Sequence, residues 1–165
     1  MRKKLPITFI TRESTEDMED LINSMKTVLA SSFAFYLKAH GFHWNVEGIN
    51  FPHLHKFFLD VYEQAHDEVD DVAERIRALN AYAPASLVRF HQLSKVSDQI
   101  NIPTPINMIR ELESDNLTMI AELKHAYALA EKVGEVGISN YLQGRIEARN
   151  KLGWMLRSTG KVVNQ

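Results

Sequence analysis

A chain of 165 residues, 45% hydrophobic and 24% charged, has the balance of one globular domain with a single buried core. It contains no cysteine, which excludes disulfides and thiolate metal sites and leaves His, Asp, Glu and backbone groups to build any metal centre. A net charge of -2 gives no general pull toward nucleic acid, and no apolar run approaches membrane-spanning length, so a cytoplasmic protein with no membrane partner is expected.

The basic residues are unevenly spread. Arg2, Lys3, Lys4 and Arg12 outweigh Glu13 before Ser14, and Arg157 and Lys161 follow Trp154 with no acid among them. The start is signal-like in charge, but Pro6, Thr8, Thr11 and Arg12 interrupt any apolar core. Ordinary solvated tails are therefore expected over 1–13 and 159–165, flanking a bundle over 14–158. Phosphate binding by these ends, with non-specific DNA as partner and association with the nucleoid, is the alternative.

The first predicted helix runs over 14–46, with Ser14 or Thr15 as N-cap and Met18, Leu21, Ile22, Met25, Val28, Leu29 and Phe33 recurring every three or four positions. Gly48 breaks the chain. Asn50 and Pro52 then open a second helix whose inward stripe is Leu54, Phe58, Val61, Ala65, Val69, Val72, Ile76 and Leu79. A short helix over 86–93 interrupts a looser stretch. Thr104 and Pro105 start a third long helix through Val133, with Ile109, Leu112, Ile120, Leu123 and Tyr127 inward, ended by Gly134 and Gly137. A fourth covers 138–158, with Leu142, Ile146, Leu152 and Met155 for burial. No β alternation of comparable length exists. The class is all-α, a four-helix bundle with a short helix in the long connection between its second and third helices.

The residues with metal chemistry gather at the first interhelical junction and along the second helix: His43-Trp44-Asn45-Val46, Gly48, Asn50-Phe51, Leu54-His55, then Asp70, Ala73, Glu74 and Arg75. Imidazoles and carboxylates suit Fe(II), and carboxylate oxygens continue to stabilise Fe(III). Asp70 and Glu74, four apart, project from one helical face. His55 lies fifteen residues earlier on the same stripe, about 22 Å away at about 1.5 Å per residue, too far to share a metal with Asp70 within one chain. Antiparallel pairing of this helix across a twofold axis removes the difficulty by placing His55 opposite Glu74 of a second copy, with His43 able to join.

In this ordered combination the chain resembles the Dps family, the DNA-protection proteins of starved cells within the ferritin-like group. The resemblance extends to the short connecting helix, the third helix and Trp154-Met155-Leu156. It implies a ferritin-like fold and a ferroxidase centre between subunits, with His43 and His55 from one chain and Asp70 and Glu74 from its neighbour as catalytic and metal-binding residues. It also implies Fe(II) oxidation by hydrogen peroxide, Fe(III) storage inside a shell of twelve subunits and protection from oxidative damage. Zinc is an alternative occupant of such a His-carboxylate site.

One position departs from the family pattern. Leu59 stands where a carboxylate four residues beyond the second histidine is usual, and Asp60 is rotated by about 100° on the helix. One firm iron position is therefore expected rather than two. Glu63 and His66 fall opposite each other in the same pairing and read as an ion pair that stabilises the dimer. Together with Glu122-x-x-His125, Glu63-x-x-His66 also allows a di-iron site inside one subunit, and a DNA-coating shell with a weakened oxidation centre is the non-enzymatic reading. His40, His53 and His91 have no such support. Asp67, Glu68 and Asp71 read as solvated or interface charges, and Trp44 as packing.

Overall fold

The computed structural model describes residues 12–161, which form five helices and no strand. They are α1 (Arg12–Asn45), α2 (Phe51–Ala78), α3 (Leu87–Leu93), α4 (Pro105–Val133) and α5 (Val136–Thr159). The basic residues Arg2, Lys3 and Lys4 lie outside the described residues.

Local chemistry accounts for most of the boundaries. At the start of α2 the Leu54 N–H reaches the Asn50 carbonyl, while proline in the first turn presets a helical φ; the Asn50 side chain itself makes no cap bond. The other end closes at Asn80, whose φ of 61° is left-handed. There the Ala81 N–H reaches the Ile76 carbonyl and the Asn80 N–H that of Arg77, the paired bonds that satisfy the last carbonyls of a helix. Ser86 caps α3 by accepting from the Arg89 N–H at 3.2 Å. Gly134, at φ 78°, ends α4.

Three sequence expectations shift. Ser14 and Thr15 lie within α1, which already includes Arg12. Gly137 falls within the first turn of α5, so Gly134 alone stops α4. Met155 is 36% exposed, and Leu156 beside it takes the buried position.

Contacts between side chains give the topology. Lys38 bonds Asp115 while Lys132 bonds Asp17, so numbers rise on α1 as they fall on α4. Ser32 meets Glu68 and His43 meets His55, which sets α1 against α2 in the same antiparallel sense. Glu68 meets Arg149 and Arg75 meets Tyr141, which does so for α2 and α5. Every adjacent pair is antiparallel, and the connection through α3 must therefore cross the length of the bundle. α3 rests on α1 through Phe90 and Phe33, with centroids 4.8 Å apart.

The core is divided. Phe35, Phe42, Phe58, Met108, Leu112 and Leu156 pack at one end, and Leu21, Met25, Leu29, Val72, Ile76, Leu123 and Leu142 at the other. Burying each such side chain contributes about 1.5–3 kcal/mol. Between the two clusters lies a polar layer of Ser32, Glu68, Asn116 and Arg149, all buried. Glu68 is only 1% exposed, which corrects its reading as a solvated or interface charge. Its Oε1 accepts from Ser32 Oγ at 3.1 Å and its Oε2 from Arg149 Nη2 at 2.9 Å. The Arg149 guanidinium also lies 4.3 Å over the Phe35 ring, and Asn116 Nδ2 donates to the Arg149 carbonyl at 2.9 Å.

Candidate metal centre

The end of α1 and the start of α2 are held together by two histidines that bond each other's backbone. His43 Nδ1–H donates to the His55 carbonyl at 2.7 Å, and His55 Nδ1–H donates to the His43 carbonyl at 2.8 Å. A carbonyl only accepts, so both rings carry their proton on Nδ1. Each neutral imidazole then keeps a free lone pair on Nε2, the tautomer a metal ligand needs. The rings stack with centroids 3.8 Å apart at 20°, and Phe51 stacks on His55 at 4.9 Å.

Around this pair the α1–α2 surface is aromatic and rich in nitrogen. His40 stacks on Tyr62 at 3.9 Å and lies 4.2 Å from the Trp44 ring, and the Tyr62 and His43 rings meet in a T-shaped arrangement at 5.3 Å. Desolvation, followed by the charges of His43 and His66, lowers the His40 pKa below its usual value. Trp44 is 61% exposed, so it packs at the surface against His40 and not in the core.

Asp70 and Glu74 are exposed on the outer face of α2 and make no hydrogen bond or ion pair with another described residue. Asp70 lines a shallow groove with His66, Asp67 and Asp71. Since α2 is unbroken from Phe51 to Ala78, the separation of about 22 Å between His55 and Asp70 stands. Among the described residues of one chain, no group of three or more His, Asp or Glu is close enough to hold a metal. Each chain thus carries one pair of imidazole donors and, far from it, one pair of carboxylates.

Leu59 is half-buried one turn beyond His55, and its neighbour Asp60 is engaged by Lys56. The side chains of the two Glu-x-x-His motifs are not brought together. Glu63 and His66 line a groove with Tyr36 and Tyr62 between α1 and α2, whereas Glu122 and His125 line another with Asp20 and Asn23 between α1 and α4. The middle of the bundle, where an internal di-iron site would require carboxylates and histidines, holds the Glu68–Arg149 ion pair instead. Sequence reasoning missed that pair, although Glu68 continues the stripe of Ala65 and Val72, and Arg149 that of Leu142 and Leu156.

Comparison with known proteins gives a consistent result. A model of the ferritin-like domain matches residues 22–163. A low temperature-induced protein of Nostoc sp. is 30% identical over 145 residues, spanning 87% of this chain and 81% of that protein. DNA protection during starvation protein 2 of Bacillus anthracis is 27% identical over 140 residues, spanning 85% of this chain and 96% of its own. The crystal structure of Dps from Staphylococcus aureus, 28% identical, superposes with a TM-score of 0.84 over 87% of this chain and 97% of that one.

Proposed function

The chain belongs to the Dps family of ferritin-like proteins, and on that premise we propose that it is a ferroxidase whose iron site is shared between two copies. His43 and His55 of one copy, with Asp70 and Glu74 of a second, bind Fe(II) as substrate. Hydrogen peroxide takes the electrons, and Fe(III) passes into the cavity of a hollow homo-oligomer of twelve subunits. Consuming Fe(II) and peroxide together suppresses hydroxyl-radical formation, which is the protective effect.

The observation that carries this reading is the reciprocal histidine latch. Two backbone carbonyls consume both Nδ1 protons, which orients the rings and leaves two Nε2 atoms without a hydrogen-bond partner among the described residues. The outward carboxylates Asp70 and Glu74 supply the oxygen donors and the negative charge that Fe(III) requires. Zinc fits the same donor set and would act as a competitor. The name of the Bacillus anthracis relative supports DNA protection as the wider role, with the basic ends as the phosphate contacts.

Fe(II) oxidation by peroxide, followed in the intact protein and in a His43→Ala, His55→Ala variant, tests the proposal. Loss of both imidazoles should lower the rate by about 100-fold or more, beyond the 10–100-fold typical of residues that only orient ligands. Equal rates in the two proteins would overturn it.

A further inference from the structure

One face of α2 carries more ligand chemistry than iron oxidation uses. At about 100° per residue, His55, Leu59, Glu63, His66, Asp70 and Glu74 all fall within one arc of about 100°. The two ends of this stripe belong to the iron site, and Glu63 and His66 hold its middle. Both are exposed, and Glu63 makes no hydrogen bond or ion pair with another described residue. The Tyr36 ring meets His66 in a T-shaped contact at 5.1 Å, and Asp67 Oδ1 lies 3.9 Å from His66 Nδ1. That carboxylate favours a proton on Nδ1, which leaves the Nε2 lone pair for a metal.

Within one chain Glu63 and His66 are only two donors, neighbours on successive turns of α2. A second copy doubles them. The antiparallel pairing that sets His55 opposite Glu74 puts its twofold axis midway between positions 64 and 65, so Glu63 of each copy faces His66 of the other. All four side chains then arise within about 4.5 Å of each other along the helix, and about 14 Å from either iron site. We propose that Glu63 and His66 of two copies enclose one zinc ion on this axis, held by two imidazole nitrogens and two carboxylate oxygens. The inference rests on the shared-site reading above for the α2 pairing alone. Four protein donors close the tetrahedron and leave no open position for peroxide, so the ion is structural and takes no part in the oxidation. Its charge is cancelled by the two carboxylates, which repel each other across the axis when it is absent. Neutral His66 is the form that binds it, whereas the ion pair read from the sequence needs the protonated ring. Symmetry fixes the count at one ion for every two chains.

The test uses the assembled protein carrying His43→Ala and His55→Ala, which disables the iron site, stripped of metal and titrated with Co(II) as a spectroscopic stand-in for zinc. The expected result is the intense visible absorption of tetrahedral cobalt, saturating at one ion per two chains and displaced by zinc. Adding Glu63→Gln or His66→Gln, each at an exposed position, should abolish that absorption while gel filtration shows an unchanged shell. Saturation at one ion per chain, an octahedral spectrum, no binding at all, or the same spectrum in either added variant would each overturn the site. Fe(II) oxidation by the unsubstituted protein is measured alongside. If it proceeds while cobalt finds no half-stoichiometric site, the zinc proposal fails and the iron reading stands; if cobalt binds as expected while Fe(II) is not oxidised, the reverse holds.

Discussion

Two faces of α2 carry acid, and they have opposite fates. Toward α5, Glu68 is enclosed at 1% exposure with Ser32 and Arg149 as hydrogen-bond partners. Two and six residues further on, Asp70 and Glu74 stand exposed with no partner among the described residues. The histidine latch at the other end of α2 is open in the same sense, since each ring has one nitrogen bonded and one with no partner among the described residues. The Glu68 carboxylate inside the bundle is thus closed within the chain and belongs to stability. The polar groups outside remain available to the proposed second copy and its iron. The polar layer also bars the usual place for an internal metal site, which leaves the surface between subunits as the place where these ligands can work.

The sharpest way to break that division is at Glu68. Glu68→Ala leaves Arg149, with 4% side-chain exposure, buried and uncompensated. Such a loss costs about 3–5 kcal/mol. For a chain of this size that is a fall in melting temperature of roughly 6–20 °C. Replacing the pair together by Glu68→Leu and Arg149→Met should recover most of the loss, because well-packed apolar residues commonly match a buried ion pair. The comparison is upheld if the double variant oxidises Fe(II) at the unsubstituted rate per folded shell. Loss of oxidation in a folded double variant would place metal chemistry inside the bundle after all.

A second buried pair tests the same idea through pH. Lys38 and Asp115 lie 2.6 Å apart with 6% and 12% side-chain exposure. Burial raises the Asp115 pKa above 3.8 despite the opposing pull of Lys38. The folded state therefore holds this proton more tightly than the unfolded chain. The stabilisation linked to protonation is fully present below 3.8 and is lost as pH rises through the raised folded value. Asp115→Asn removes that dependence and leaves Lys38 with a weaker neutral acceptor, at a cost of about 2 kcal/mol near neutrality. Denaturation midpoints of both proteins across the acidic range check this. Parallel pH profiles would mean that Asp115 titrates as it does in the unfolded chain.

How much of this was legible in the sequence follows from what each residue signals locally. The stripe from Leu54 to Ile76 revealed α2 because apolar spacing is a property of neighbours along one helix. Asp70 and Glu74 were identified as a facing pair for the same reason, and the length of the helix between them and His55 already required a second chain. Glu68 and Arg149 were missed because each, taken alone, looks like surface charge. The signal was that both interrupt an apolar stripe with opposite signs, which is meaningful only once α2 and α5 are known to be neighbours. Likewise His43 and His55 were legible as candidate ligands, but the carbonyl bonds that set their tautomer depend on how closely two chain segments approach.

The smallest expected effect bears most directly on the open face. Leu59 sits one turn beyond His55 and supplies no oxygen donor, while Asp60 is turned away and held by Lys56. Leu59→Asp adds a carboxylate on the face of His55, opposite Asp70 of a second copy in the antiparallel pairing. Because Leu59 is half-buried, the change gives up some apolar contact, and the new charge gains its return only when a metal is present. Affinity for a second metal should rise about 10-fold, equivalent to about 1.4 kcal/mol. Iron titration of the assembled shell, with anomalous scattering from iron-soaked crystals to count ions between subunits, measures it. A second ion bound in Leu59→Asp but not in the unsubstituted protein assigns the deficit to this one side chain. Two ions already bound beside Leu59 would show that a water or another residue completes the site.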